Sequence, residues 1–100
     1  MNEDILFAIQ HAALLSFVYD EKPRTVEVHA YGTSVKDGAP VIRAWQVAGE
    51  SSRPLPCWAL MRVENIQEFE IAAANTSHAP RDGFKPGDKQ MREIFAEVAA

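Results

Sequence analysis

The sequence predicts an α+β fold: a small antiparallel sheet, curled or closed into a barrel, with one helix before it and one after it. Three observations point there. Apolar residues recur at helical spacing at both ends of the chain. Between them, short runs alternate apolar with polar residues, and turn residues separate those runs. With 100 residues, 47% hydrophobic and 24% charged, the chain suits a single domain over 1–100 and excludes a disordered tail or a disulfide knot.

Asn2 is expected to cap a first helix, with Glu3 and Asp4 at its positive end. Ile5, Ala8, Ile9 and Ala12 stand at helical spacing, widened by Leu6 and Ala13. From Leu14 or Leu15 the period falls to two, so that Leu15, Phe17 and Tyr19 share a face. Asp20-Glu21-Lys22-Pro23 reads as a turn. A second strand runs over about 24–31. Val26, Val28 and Ala30 take one face of it; Thr25, Glu27, His29 and Tyr31 take the other. Gly32 permits a bend, and Asp37-Gly38 signals a hairpin. A third strand returns over 41–48. A polar loop over 49–56 carries Arg53, and a fourth strand covers 57–63. The apolar segment 66–73 leaves strand and helix both open, because Glu and Ala are poor strand formers. The core spans about 5–73. A turn-rich connection over 75–87 then leads to a last helix, with Asp88 as its N-cap. Met91, Ile94, Phe95 and Val98 stand there at i, i+3, i+4 and i+7. Closing the sheet into a barrel would remove its edges.

Ten Lys and Arg against fourteen Asp and Glu give a net charge of -4, which disfavours general coating of nucleic acid. The lone Cys57 has no partner for an internal disulfide and suits a reducing, cytoplasmic setting. No apolar run nears the roughly 20 residues of a membrane span, and no basic stretch opens the chain as in a secretory signal. No glycine-rich phosphate loop precedes Lys-Ser or Lys-Thr. His11, His29 and His78 lack paired ligand spacing, and one cysteine builds no thiolate zinc site, so no metal or cofactor is expected. Cys57 and His29 as nucleophile and base make the one catalytic constellation. Nothing in the sequence joins them, and the chain reads as non-enzymatic.

Tyr19, Arg24, His29, Tyr31, Arg43 and Arg62 stand out, all in or beside strands. Guanidinium groups grip carboxylates and phosphates, and aromatic rings stack on bases. Brought to one hollow, these side chains would hold an anionic ligand. The same residues also suit plain structural roles. Arg43 could pair with Glu27 across strands, and His29 could be a core histidine bonded to backbone. Tyr19 and Tyr31 could be core aromatics, with Trp45 and Trp58 as packing anchors.

The runs Ala8-Ile9, Leu15-Ser16-Phe17-Val18-Tyr19 and Pro23-Arg24-Thr25-Val26-Glu27-Val28-His29-Ala30-Tyr31-Gly32 resemble the opening of a WYL domain. Val41-Ile42-Arg43-Ala44-Trp45-Gln46 and Trp58-Ala59-Leu60-Met61-Arg62-Val63 are similar to later segments of that family. Gly83-Phe84-Lys85-Pro86-Gly87-Asp88-Lys89 resembles the tail of its compact, stand-alone members. Pro40-Val41-Ile42 stands where the family carries the triplet that names it. The resemblance implies an Sm-like (SH3-like) β-barrel that senses a ligand, a nucleotide or short single-stranded nucleic acid, in bacterial transcriptional or defence regulation. Tyr19, Arg24, His29, Arg43 and Arg62 would line its pocket. Such domains usually accompany a helix-turn-helix domain, for which 100 residues leave no room. A DNA-binding partner protein or a homo-oligomer would then complete the regulator. The alternative is a protein-interaction or assembly module with no small-molecule ligand.

Overall fold

The computed structural model describes residues 1–73 and 80–99. Helix α1 covers Glu3–Gln10 and buries Ile5, Ala8 and Ile9. The Asn2 side chain accepts from the Ile5 N–H at 3.0 Å, satisfying one of the helix's first donors. The helix stops earlier than the apolar stripe suggests. Ala12 turns left-handed at φ +47°, and the Ala13 N–H reaches back to the Ala8 carbonyl at 3.0 Å.

Strand β1 is Leu14–Tyr19, β2 Lys22–Ser34, β3 Pro40–Gly49, β4 Cys57–Arg62 and β5 Ile66–Ala73. Asp20 and Glu21 both take positive φ, so two residues alone reverse the chain and Tyr19 already faces Lys22. The segment that composition left open is a strand: β5 pairs antiparallel with β1.

Two expectations are overturned. The C-terminal helix is absent; residues Met91–Glu97 form a sixth strand, β6, antiparallel to β2. The reason lies in β2, which is 13 residues long. Its lower part pairs with β1 as far as Glu27, opposite Leu14. From Ala30 to Ser34 the same edge is taken by β6. A long strand half-served by one neighbour leaves backbone donors and acceptors that a second neighbour must satisfy, and this outweighs local helical preference. The helix-like spacing has its own origin: β6 is bulged twice against β2, between Ile94 and Ala96 and between Met91 and Ile94. The bulges stretch a period of two into apparent steps of three.

The sheet also does not close into a barrel. Its strands run β4-β3-β2-β1-β5, with β6 on β2, and among the described residues no ladder joins β4 to β5. A 3-10 turn, Val63–Asn65, links those two outer strands directly. The sheet is therefore strongly curled, and the Arg62 N–H of β4 reaches the Tyr19 hydroxyl of β1 at 3.3 Å. It remains open nonetheless.

Both faces of the sheet are covered. On the first, α1 packs over Leu15, Phe17, Val26, Val28, Tyr31, Ile42, Ala44 and Met61, the main core. On the second, Ala30, Val41 and Met91 gather with Leu60, Phe84 and Ile94 into a smaller one. The division of β2 between them departs from strict alternation. Ala44 faces Val28 but Arg43 faces Ala30, so His29 is an extra residue in the strand. This bulge sends Tyr31 into the main core and leaves His29 and Ala30 on the second face. His29 and Tyr31 do not share a side.

Candidate functional site

The second face is crossed by a strap, residues 80–90, which runs from beyond β5 to the start of β6. Three contacts fasten its first half. The Arg81 guanidinium grips the Glu27 carboxylate with two bonds, Nε at 2.8 Å and Nη2 at 2.7 Å. The Arg81 backbone N–H donates to His29 Nε2 at 3.2 Å, and the other ring nitrogen meets the Glu27 carbonyl at 3.0 Å. A backbone N–H only donates, so His29 carries its proton on Nδ1. The Trp58 indole N–H donates to the Asp82 carbonyl at 3.1 Å.

Gly83 makes the turn that follows. It has φ +92°, and a Cβ there would lie 2.9 Å from Trp58 Nε1. Backbone conformation and close approach both require glycine. Beyond it, Phe84 packs beside Trp58, ring centres 6.3 Å apart, and both touch the buried His29 ring.

Between the far half of the strap and the sheet lies a cleft of about 530 Å³. Arg43 and Trp58 line it from β3 and β4; Phe84, Lys85, Pro86, Asp88 and Lys89 line it from the strap. One carboxylate thus stands among three cations, in a chain of net charge -4. Asp88 pairs with Arg43, Nε to Oδ2 at 2.7 Å and Nη2 to Oδ1 at 3.3 Å. The same Nη2 donates to Gln90 Oε1. Burial alone would raise the Asp88 carboxyl. The Arg43 hydrogen bond, the Gln90 N–H and the guanidinium charge outweigh it and hold the group below its ordinary value.

Of the six expected site residues, Arg43 alone lines this cleft. His29 lies one layer beneath it, in the structural role of a core histidine bonded to backbone. Arg24 sits on the opposite face of β2, over the Tyr19 ring at 5.3 Å; it donates to the Tyr19 carbonyl and to Gln46. Tyr19 and Tyr31 pack with the main core, and the Tyr31 hydroxyl accepts from the Asn2 N–H. Arg62 shares the Arg43 face but turns to Glu64 at 2.6 Å and Asp37 at 2.9 Å. The Glu64 and Asp37 hydrogen bonds hold its guanidinium pKa above the usual value. The three guanidinium groups therefore do not meet in one hollow. The cross-strand pairing of Arg43 with Glu27 gives way to two longer-range pairs, Arg43–Asp88 and Arg81–Glu27. Cys57 faces Gln46 on the first side of the sheet, while His29 is on the second, so that nucleophile–base pair is not assembled.

No family model, curated protein or solved structure matches the chain.

Residue reasoning missed Trp58 as a lining residue, together with Phe84, Lys85, Asp88 and Lys89. Their signal was the run 83–89, in which two glycines bracket an aromatic residue and a lysine. Among the described residues no three His, Cys, Asp or Glu side chains gather as a metal ion would need. No helix there is long and apolar enough to cross a membrane. His78 lies outside the described residues.

Proposed function

We propose that this chain is a non-enzymatic, cytoplasmic binding module for an anionic small molecule or nucleotide, held in the cleft between strap and sheet. The observation that carries the reading is the lining itself. Three of the chain's ten Lys and Arg residues converge with Trp58 and Phe84 on one cavity, against a single carboxylate. Ammonium and guanidinium groups attract phosphate or carboxylate, and an indole face stacks on a flat ring. A cavity of this size suits a ligand of mononucleotide dimensions. The WYL-like segments add a role to the chemistry: a sensor that acts through a DNA-binding partner in bacterial transcriptional or defence regulation.

Titration calorimetry with adenosine monophosphate and with a short oligothymidylate tests the reading. Saturable binding that weakens with salt is expected, since exposed charges are screened. Lys85→Ala/Lys89→Ala should weaken it about tenfold, roughly 1.4 kcal/mol, with the melting temperature unchanged because both lysines are exposed. Absence of binding to both probes at millimolar concentration overturns it.

A second reading, an assembly module, is favoured by a separate groove of about 440 Å³ between α1 and β5. Leu6, Phe7 and Ile71 line it, with Glu3 and Asp4 at the rim, and Phe7 is 38% exposed. Light scattering over a concentration series decides it: growth in mass that Phe7→Ser abolishes supports assembly, and a constant monomer excludes self-assembly.

A further inference from the structure

The Arg43 guanidinium is gripped as a ligand would grip it. A guanidinium has two edges that hold two oxygens at once, Nε with Nη2 and Nη1 with Nη2. Both need Nη2, and both protons of Nη2 are engaged, one by Asp88 Oδ1 and one by Gln90 Oε1. Asp88 takes the Nε–Nη2 edge with two oxygens, in the manner of a bound carboxylate, and its side chain is only 10% exposed. It comes from the strap, the cleft's outer wall, and not from the sheet that carries Arg43. Gly87 precedes it at φ +69°, with its N–H bonded to Glu97 Oε2 at 3.1 Å, so the strap is anchored beside Asp88 while the carboxylate itself hangs on a rotatable side chain.

We propose that Asp88 occupies the anion seat of Arg43 as an internal competitor, and that the ligand of the cleft is an oxyanion presenting two oxygens to that guanidinium in its place. The inference rests on the cleft being the binding site. It adds the ligand's terminal group and the event that admits it. The incoming carboxylate or phosphate takes Nε and Nη2, the Asp88 side chain rotates off the guanidinium and gives up its bond to the Gln90 N–H, and Lys85 and Lys89 remain to balance the added charge. Gln90 is the lesser obstacle, because its amide is neutral and exposed. Capture is thereby coupled to a change in the strap.

The test titrates adenosine monophosphate into the full chain, as wild type, Asp88→Asn, Gln90→Ala and Arg43→Gln. Asparagine keeps the turn that Asp88 Oδ1 makes with the Gln90 N–H at 2.9 Å and removes only the charge; Asp88→Ser is the second variant should Asp88→Asn not fold. The expected result is affinity at least tenfold tighter in Asp88→Asn, little changed in Gln90→Ala and lost in Arg43→Gln. If wild type binds and Arg43→Gln does not, but Asp88→Asn is equal or weaker, the competitor is overturned while the cleft stands. If Gln90→Ala alone tightens binding, the competitor is likewise overturned. If neither wild type nor Asp88→Asn binds adenosine monophosphate, the competitor is overturned for this ligand, and if the oligothymidylate fails as well, the cleft reading itself falls. Binding that is unchanged in Arg43→Gln places the ligand elsewhere and overturns both.

Discussion

Arg43 and Asp88 meet across 45 residues of chain and join β3 to the strap. Their bond has a pH signature. The Asp88 carboxyl is held below its ordinary 3.8. A folded-state value below the unfolded one means that the ionised group contributes stability fully above the unfolded value. The contribution is lost as pH falls through the folded value. The Trp58 indole N–H resonance, which reports the Asp82 contact of the same strap, should stay constant from neutrality to about pH 4 and shift below it. Asp88→Asn should remove that shift; an identical acid profile in the variant would show that the strap does not depend on this pair. Gln46 shows the other use of a polar side chain here. Fully buried, it donates to the Ala48 and Glu50 carbonyls and accepts from Arg24, so its amide holds the end of β3 and costs little to bury.

Strand β6 shows at the scale of elements what a sequence hides. Strands β1 to β4 were legible because each carries an alternating run or lies between strong turn residues, and the Asn2 cap and the Asp37-Gly38 hairpin have local causes; β5 stayed open between strand and helix because its Glu and Ala residues are poor strand formers. The last strand was not legible, because Met91, Ile94, Phe95 and Val98 match a helix stripe while two bulges make the same spacing fit a sheet. The His29 bulge hid the sidedness of β2 in the same way. In the site, Arg43 was legible by residue type. Its partner and the cleft wall were not, because their pairing depends on where the strap crosses the sheet. The outer edge of β4 is managed locally: Arg53 donates to the Trp58 carbonyl and the Tyr19 hydroxyl accepts from the Arg62 N–H, so side chains occupy groups that another strand would seek. A test of the β6 pairing follows from Gly32, where a Cβ would lie 2.0 Å from the Glu93 carbonyl oxygen. Gly32→Ala should push β6 away at a cost of about 3 kcal/mol. Hydrogen exchange should then accelerate at the Ile94 amide and leave β1 protected; retained protection at Ile94 would contradict the packing.

At the scale of the whole molecule, the curled sheet is a shared wall between unequal cores. The main core, under α1, gives the fold its stability; the smaller one positions the strap and hence the cleft. Leu15 is fully buried in the first. Leu15→Ala should lower unfolding free energy by about 2–5 kcal/mol, a large share of the total for a domain of this size. Urea denaturation followed by circular dichroism reads this; a loss below about 1 kcal/mol would deny Leu15 its central place.

The order in which the chain is made adds a consequence of the divided strand β2. Glu93 meets Thr33 across 60 residues. On the ribosome, β1, β2 and β3 can assemble as soon as they emerge, but the upper rim of β2 waits for β6. Until β6 has emerged that rim is open to foreign strands, and a product cut short before β6 would be the sticky form of this protein.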